Sequence, residues 1–195
     1  IDEIMADPSP PVGLPNAEWI ELRNTSLLPV NLNGWKITKG TTASGALPAF
    51  TLLPDSMVIV CTQASIASLS GFGSCIPVTA FPSLANDGDL LSLISLEKQT
   101  ISAVEYSSLW YQNELKKDGG WSLEMIDTKN PCSGASNWKA STDGKGGTPG
   151  QLNSADALNP DNTPPRLLHA FAEDSNNVTL VFDEPLASSV AVAVA

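Results

Sequence analysis

Residues 17–24 read AEWIELRN, and the alternation in this stretch decides the fold. Ile20 and Leu22 fall on one face with Glu18 and Asn24 at its ends, while Trp19, Glu21 and Arg23 fall on the other. A period of two marks a strand, because successive side chains leave a pleated backbone on opposite sides. Outward from this stretch the same pattern recurs: short apolar runs bounded by Gly, Pro, Asn and Asp, with almost no helical periodicity. About nine strands result, over 1–6, 17–24, 35–39, 46–53, 57–62, 90–96, 101–106, 120–127 and 137–141.

The turns between them carry their own chemistry. Asn33-Gly34 and Asn86-Asp87-Gly88 are built from residues that tolerate φ > 0. Pro54-Asp55 predicts a type I turn with proline at its second position. The loop DPSPPVGLP at 7–15 cannot be a central strand, because its prolines remove backbone donors. QASIASLSG at 63–71 is the one short helix, with Ile66 and Leu69 three apart and Gly71 as its stop. The runs 90–96 and 101–106 form an antiparallel hairpin around Glu97-Lys98-Gln99. Trp35 shares a face with Ile37, and that face and Trp138 are assigned to the core, where a large aromatic contributes much of the buried apolar area.

GKGGTPG at 144–150 closes a first domain that spans 1–154. Residues 155–165, rich in Pro, Asn and Asp, read as a linker. Two further strands follow at 166–173 and 177–183, too few to bury a core by themselves. Residues 166–195 are therefore expected to be the first strands of an incomplete second β domain, and the chain to be one unit of a longer modular protein.

Composition narrows the function. Only 16% of the 195 residues are charged and the net charge is −11, with Lys116-Lys117 the only adjacent basic pair. A phosphate-binding surface needs clustered cations, so nucleic acid and anionic membranes are poor partners. No run of about 18 apolar residues is available to span a bilayer. His169 is the only histidine and no GxSxG elbow is present, which leaves no base for a nucleophilic triad. Asp2, Glu3, Asp7, Glu18 and Glu21 crowd together and two carboxylates make a glycosidase, but acids on a small sandwich ordinarily face water. Asp156, Asn159, Asp161 and Asn162, with Asp183-Glu184, offer hard oxygens without EF-hand spacing and read as a solvated linker. The chain is read as non-catalytic, with no metal and no cofactor.

Three cysteines, Cys61, Cys75 and Cys132, show no zinc-ligand spacing; they read as one disulfide plus a free thiol or as three reduced, buried thiols. Low Lys content with abundant Pro, Gly, Ser, Thr and Asn suits an exported protein. Asn24-Thr25-Ser26 and Asn177-Val178-Thr179 match the glycosylation sequon and predict exposed turns. Trp110, Tyr111 and Trp121 flank the loop 112–120, where aromatic rings either stack on a sugar, grip a partner peptide or simply close the core.

AEWIELRNTS at 17–26, NLNGWKIT at 31–38 and FTLLPDSMVIVC at 50–61, in this order, resemble the lamin tail domain. GGWSLE at 119–124, PCSGASNW at 131–138 and GGTPG at 146–150 resemble its exported bacterial branch, so that the likeness spans about 1–154. From Pro164, PPRLLHAFAEDSNNVTLVFDEPL resembles the opening of a bacterial immunoglobulin-like domain. The resemblance implies an all-β, immunoglobulin-like β-sandwich and a non-catalytic module of an exported multidomain protein that binds a protein or surface partner. The alternative is a carbohydrate-binding module appended to a secreted hydrolase. Lamins also bind DNA in part, which the −11 charge argues against here. The resemblance favours a disulfide between Cys61 and Cys132, whereas sequence proximity favours Cys61 with Cys75.

Overall fold

A computed structural model of the chain describes residues 1–131, 133–162, 164–183 and 186. The chain divides into two compact units, Ile1–Asn159 and Pro160–Ala195. The first holds strands β1 (Glu3–Met5), β2 (Trp19–Arg23), β3 (Val30–Asn31), β4 (Lys36–Lys39), β5 (Thr42–Ala43), β6 (Thr51–Leu52), β7 (Met57–Cys61), β8 (Cys75–Pro77), β9 (Gly88–Ile94), β10 (Thr100–Ser107), β11 (Leu123–Met125) and β12 (Trp138–Ala140). A single α-helical turn, α1 (Ile66–Leu69), falls inside the segment expected to be helical. A six-stranded sheet in the order β12-β11-β1-β2-β7-β8 faces a four-stranded sheet ordered β10-β9-β4-β5, and β3 pairs with β6 beside them. The fold is an immunoglobulin-like, all-β sandwich.

The alternation of 19–23 assigns the faces as the sequence predicts. Ile20 and Leu22 join Ile4, Val58, Val60 and Leu123 between the sheets, against Ile37, Leu91 and Tyr106. The opposite face is buried too. Register places Met5 beside Trp19 and Trp19 beside Cys61, and Leu14 and Leu69 close over them in a second apolar cluster. Trp19 is fully enclosed, at 0% exposure. The six-stranded sheet is thus a middle layer, which is why β7 reads MVIVC without a polar alternate.

Several local expectations change. Asp55 has φ +57, the left-handed region, so Pro54-Asp55 forms a type II rather than a type I turn, closed by Ser56 N–H donating to Leu53 O at 3.0 Å. The strand expected over 46–53 shrinks to Thr51–Leu52, since Pro48 has no N–H to continue a ladder. Asn24 is only 5% exposed, with its amide donating to Leu28 O and Leu52 O, so the first sequon is not an exposed turn. Trp35 is half-buried against the core instead of enclosed by it, whereas Trp138 is 1% exposed.

Cys61 and Cys75 carry free thiols, against the expected Cys61–Cys132 bridge, and Cys132 itself lies outside the described residues. β7 and β8 run parallel with Cys75 opposite Ile59, two positions away from Cys61. Strand geometry then separates the two Cα atoms by about 8 Å, beyond the roughly 7 Å a disulfide spans. Burial pushes the Cys61 thiol up to about 11, because an apolar cluster disfavours the charged thiolate.

The first unit also reaches past 154 into the expected linker. Asn159 donates its N–H to Asp127 and its side-chain amide to Asn137 and to the Ser136 carbonyl. Among its described residues the second unit holds a hairpin of β13 (Leu167–Ala172) and β14 (Val178–Phe182), with every residue of β13 exposed and Arg166 paired to Asp183.

Two substitutions check the layering. Trp138→Ala is expected to cost roughly 3–5 kcal/mol in urea unfolding and Trp35→Ala less than half as much, because only the first leaves a closed cavity. Equal losses would place both rings in the core.

Candidate functional site

Of the acidic residues near the start, Asp2, Glu3 and Glu21 are buried, while Asp7 and Glu18 are half-buried. Glu3 lies directly across from Glu21 on one neighbouring strand and from Glu124 on the other, and all three are 0% exposed. On adjacent strands about 4.8 Å apart, three such carboxyls cannot all be charged without a large repulsion. A strap, residues 146–155, covers them and supplies donors. Thr148 N–H donates to Glu3 at 2.8 Å, Gly150 N–H to Glu21 at 2.5 Å and Ala155 N–H to Glu124 at 2.7 Å. The Ser122, Thr148 and Ser154 hydroxyls add further bonds to Glu3 and Glu124. A Cβ at Gly147 would sit 2.9 Å from the Glu3 carboxylate and 2.8 Å from the Ser122 hydroxyl, so a larger residue would have to displace this hydrogen-bonded pair.

Burial raises Glu3 well above the carboxylate range, and the facing Glu21 adds to it. Burial likewise lifts Glu21 to about 8, offset in part by the Gly150 N–H, and lifts Asp2 to about 6. Glu3 and Glu21 are therefore held against ionisation beneath the strap. Of the two acids considered as a glycosidase pair, Glu21 is enclosed and Glu18 accepts the Leu84 N–H at 3.2 Å.

Nor do the candidate aromatics form an open platform. Tyr111 is 5% exposed and its hydroxyl donates to the Trp121 carbonyl at 3.0 Å, so its ring is withdrawn from any ligand. Trp110 packs on Trp138 with centroids 6.2 Å apart. The Lys116 ammonium sits 4.1 Å over the Trp121 ring and donates to the Ser141 carbonyl. Trp110 and Trp121 are each half-buried against the core. His169 lies exposed on β13. Among the described residues no group of three or more His, Cys, Asp or Glu could hold a metal, and no helix is long and apolar enough to cross a membrane.

A cleft of about 270 Å³ opens at one end of the sandwich, floored by Leu22, Leu32, Leu52 and Leu93 with Trp35 in its wall. Asn24, Thr25 and Ser26 form its rim, and the loop they begin presents Leu27 and Leu28 at 93% and 72% exposure. This loop is pinned. The buried Asn24 accepts from Ser26 N–H at 2.9 Å while donating to Leu28 O at 2.8 Å, and Ser26 Oγ also donates to Leu28 O. The sequence reading missed this surface because Leu27-Leu28-Pro29 carries no period; the Asn-Thr-Ser stretch just before it was the available sign of a fixed turn.

The carboxyl row sets a pH dependence. Between about pH 5 and pH 8 the folded chain keeps protons that the unfolded chain has lost, so stability is full below the ordinary glutamate range and falls as pH rises through the raised values. Unfolding in urea at several pH values is expected to show a loss of roughly 2–4 kcal/mol across this window, and Glu21→Gln to flatten much of it. A stability that climbs with pH would contradict the assignment.

A model of the Lamin Tail Domain family matches residues 1–108, which contain β1 to β10; β11, β12 and the strap lie beyond the matched span. No curated protein and no solved structure matches the chain. The matched span covers more than half of the sequence and includes the central β2 with its WIEL run, and the chain belongs to the lamin tail domain family.

Proposed function

We propose that the sandwich is a non-catalytic interaction module of an exported protein and that it grips a protein partner at the end carrying the cleft and the Leu27-Leu28 loop. The observation that carries this reading is the pairing of a preformed apolar cleft with two leucines held out in water by a hydrogen-bonded turn. A mobile loop exposing two leucines needs no explanation, but a pinned one keeps apolar surface ready at little entropic cost to binding. Membership of an immunoglobulin-like family agrees with it. The acids that a hydrolase would need are committed to the strap. The glycan-binding alternative rests on Trp110, Tyr111 and Trp121, and the burial of Tyr111 removes one of its three rings.

A photo-cross-linking amino acid placed at position 27 or 28 in the producing cell tests the proposal. A discrete adduct is expected there and none at Leu115, which is equally exposed at 84% on another surface. Leu27→Asp with Leu28→Asp is expected to remove a partner captured by the unmodified chain without lowering its melting temperature. Glycosidase turnover lost on Glu18→Gln would overturn the non-catalytic reading.

A further inference from the structure

We propose that residues 147–152 of the strap are a proton-held latch: they lie closed over the carboxyl row while Glu21 keeps its proton, and lift locally, ahead of unfolding, when Glu21 loses it. Among the described residues, every hydrogen bond that joins this segment to the rest of the protein ends on a glutamate of the row. Thr148 donates its N–H to Glu3, its hydroxyl lies within reach of Glu3 and Glu124, and Gly150 donates its N–H to Glu21. The remaining bonds, from the Gln151 N–H to Thr148 O and from the Gln151 side-chain amide to Gly150 O, stay within the segment. Its flanks are fastened differently. Gly146 O accepts from the Ser122 N–H on one side, and on the other the Asn153 amide donates to Asp2 O and Met125 O. Residues 147–152 are thus a flap between two anchored ends. Apolar packing adds the buried Pro149, whereas Leu152 is 53% exposed.

Donor supply marks Glu21 as the weak point of the row. Glu3 accepts from the Ser122 hydroxyl and the Thr148 N–H, and Glu124 from the Ser154 hydroxyl, the Ala155 N–H and the Thr148 hydroxyl. Glu21 has the Gly150 N–H, and its Oε1 is buried without a partner. A carboxylate that accepts two or three hydrogen bonds is stabilised in its charged form; with one, the charge of Glu21 is poorly supported beneath the closed flap. Its surroundings oppose the charge further. Glu3 and Asp2 face it from the first strand and the residue before it, Glu124 from β11 and Cys75 from β8, with Asp156 beside Asp2. Arg23, two residues along β2, is the facing cation and also pairs with Asp55 at 3.5 Å, while Lys116 acts on Glu124 and the Ile1 amino group on Asp2. Lifting 147–152 lets water reach both oxygens of Glu21. Because burial holds this proton up to about pH 8, against the ordinary glutamate range in an open flap, opening gains about tenfold per pH unit between roughly pH 5 and pH 8 and levels off above.

Amide hydrogen exchange, followed residue by residue by NMR on the full chain, tests the latch. The Thr148 and Gly150 amides are expected to exchange through a local opening that low urea leaves unchanged, whereas the β7 amides wait for unfolding and are accelerated by urea. With the ordinary base catalysis of exchange divided out, opening at Thr148 and Gly150 is expected to rise roughly a thousandfold from about pH 5 to about pH 8. Glu21→Gln, which keeps an acceptor for Gly150 but has no proton to lose, is expected to take about one factor of ten per pH unit out of that rise. Exchange of Thr148 and Gly150 in step with β7 at every urea concentration would overturn the proposal, as would an opening that stays flat with pH. A rise that Glu21→Gln leaves in place would overturn it as well. If that variant fails to fold, the urea response and the pH profile of the unmodified chain still decide.

Discussion

The glutamate row is the constraint on which the rest of the first unit depends. Glu124, Glu3 and Glu21 occupy neighbouring strands with their carboxyls enclosed, and an enclosed carboxylate without donors would cost several kcal/mol. The strap meets this demand with main-chain N–H groups that have no strand of their own to pair with. Each side satisfies the other. A regular strand laid along the same face could not do so, because its N–H groups would point sideways to a neighbour instead of down onto the sheet. The Gly-Gly-Thr-Pro-Gly sequence answers the same need: small or bent residues let the backbone approach within bonding distance of side chains standing on the pleat.

Once the strap is fixed, the outer face of the six-stranded sheet is closed over its central strands. The carboxyl row and strap cover β11, β1 and β2, while Trp19, Leu14 and Leu69 cover the side toward β7. The four-stranded sheet needs to cover only the other face. A three-layer arrangement follows with a single α-helical turn among the described residues, and it explains how a domain with such short strands encloses Trp19 and Trp138 together.

How far the sequence reveals this depends on whether a feature is local. The period of two in 19–23 places Ile20 and Leu22 correctly between the sheets, and Asn33-Gly34 forms the turn it predicts, with Gly34 at φ +80. Such signals act over a few residues. The fate of Glu3, Glu21 and Glu124 does not, because it is decided by residues 24 to 145 positions away in the chain. Each glutamate sits between apolar neighbours in EIM, WIEL and LEM, the one local sign that both faces of these strands are buried. Of the three aromatics only Tyr111 is enclosed: a 3₁₀ turn at Ser108–Tyr111 turns it inward, and the spacing of aromatics in a loop does not reveal that rotation.

The polar inventory then separates structure from function. On the outer face the glutamate oxygens other than Glu21 Oε1 are met by the strap and by Ser122, and this network fixes the fold. At the end of the sandwich the rim asparagine is fully used in pinning its loop, which leaves Leu27 and Leu28 with a fixed direction. Apolar surface held in place is what an interface requires before its partner arrives, since it limits the entropy lost on binding. The proposed docking surface therefore lies at the end of the sandwich that carries Leu27 and Leu28, and the acidic face that first suggests chemistry holds the strap.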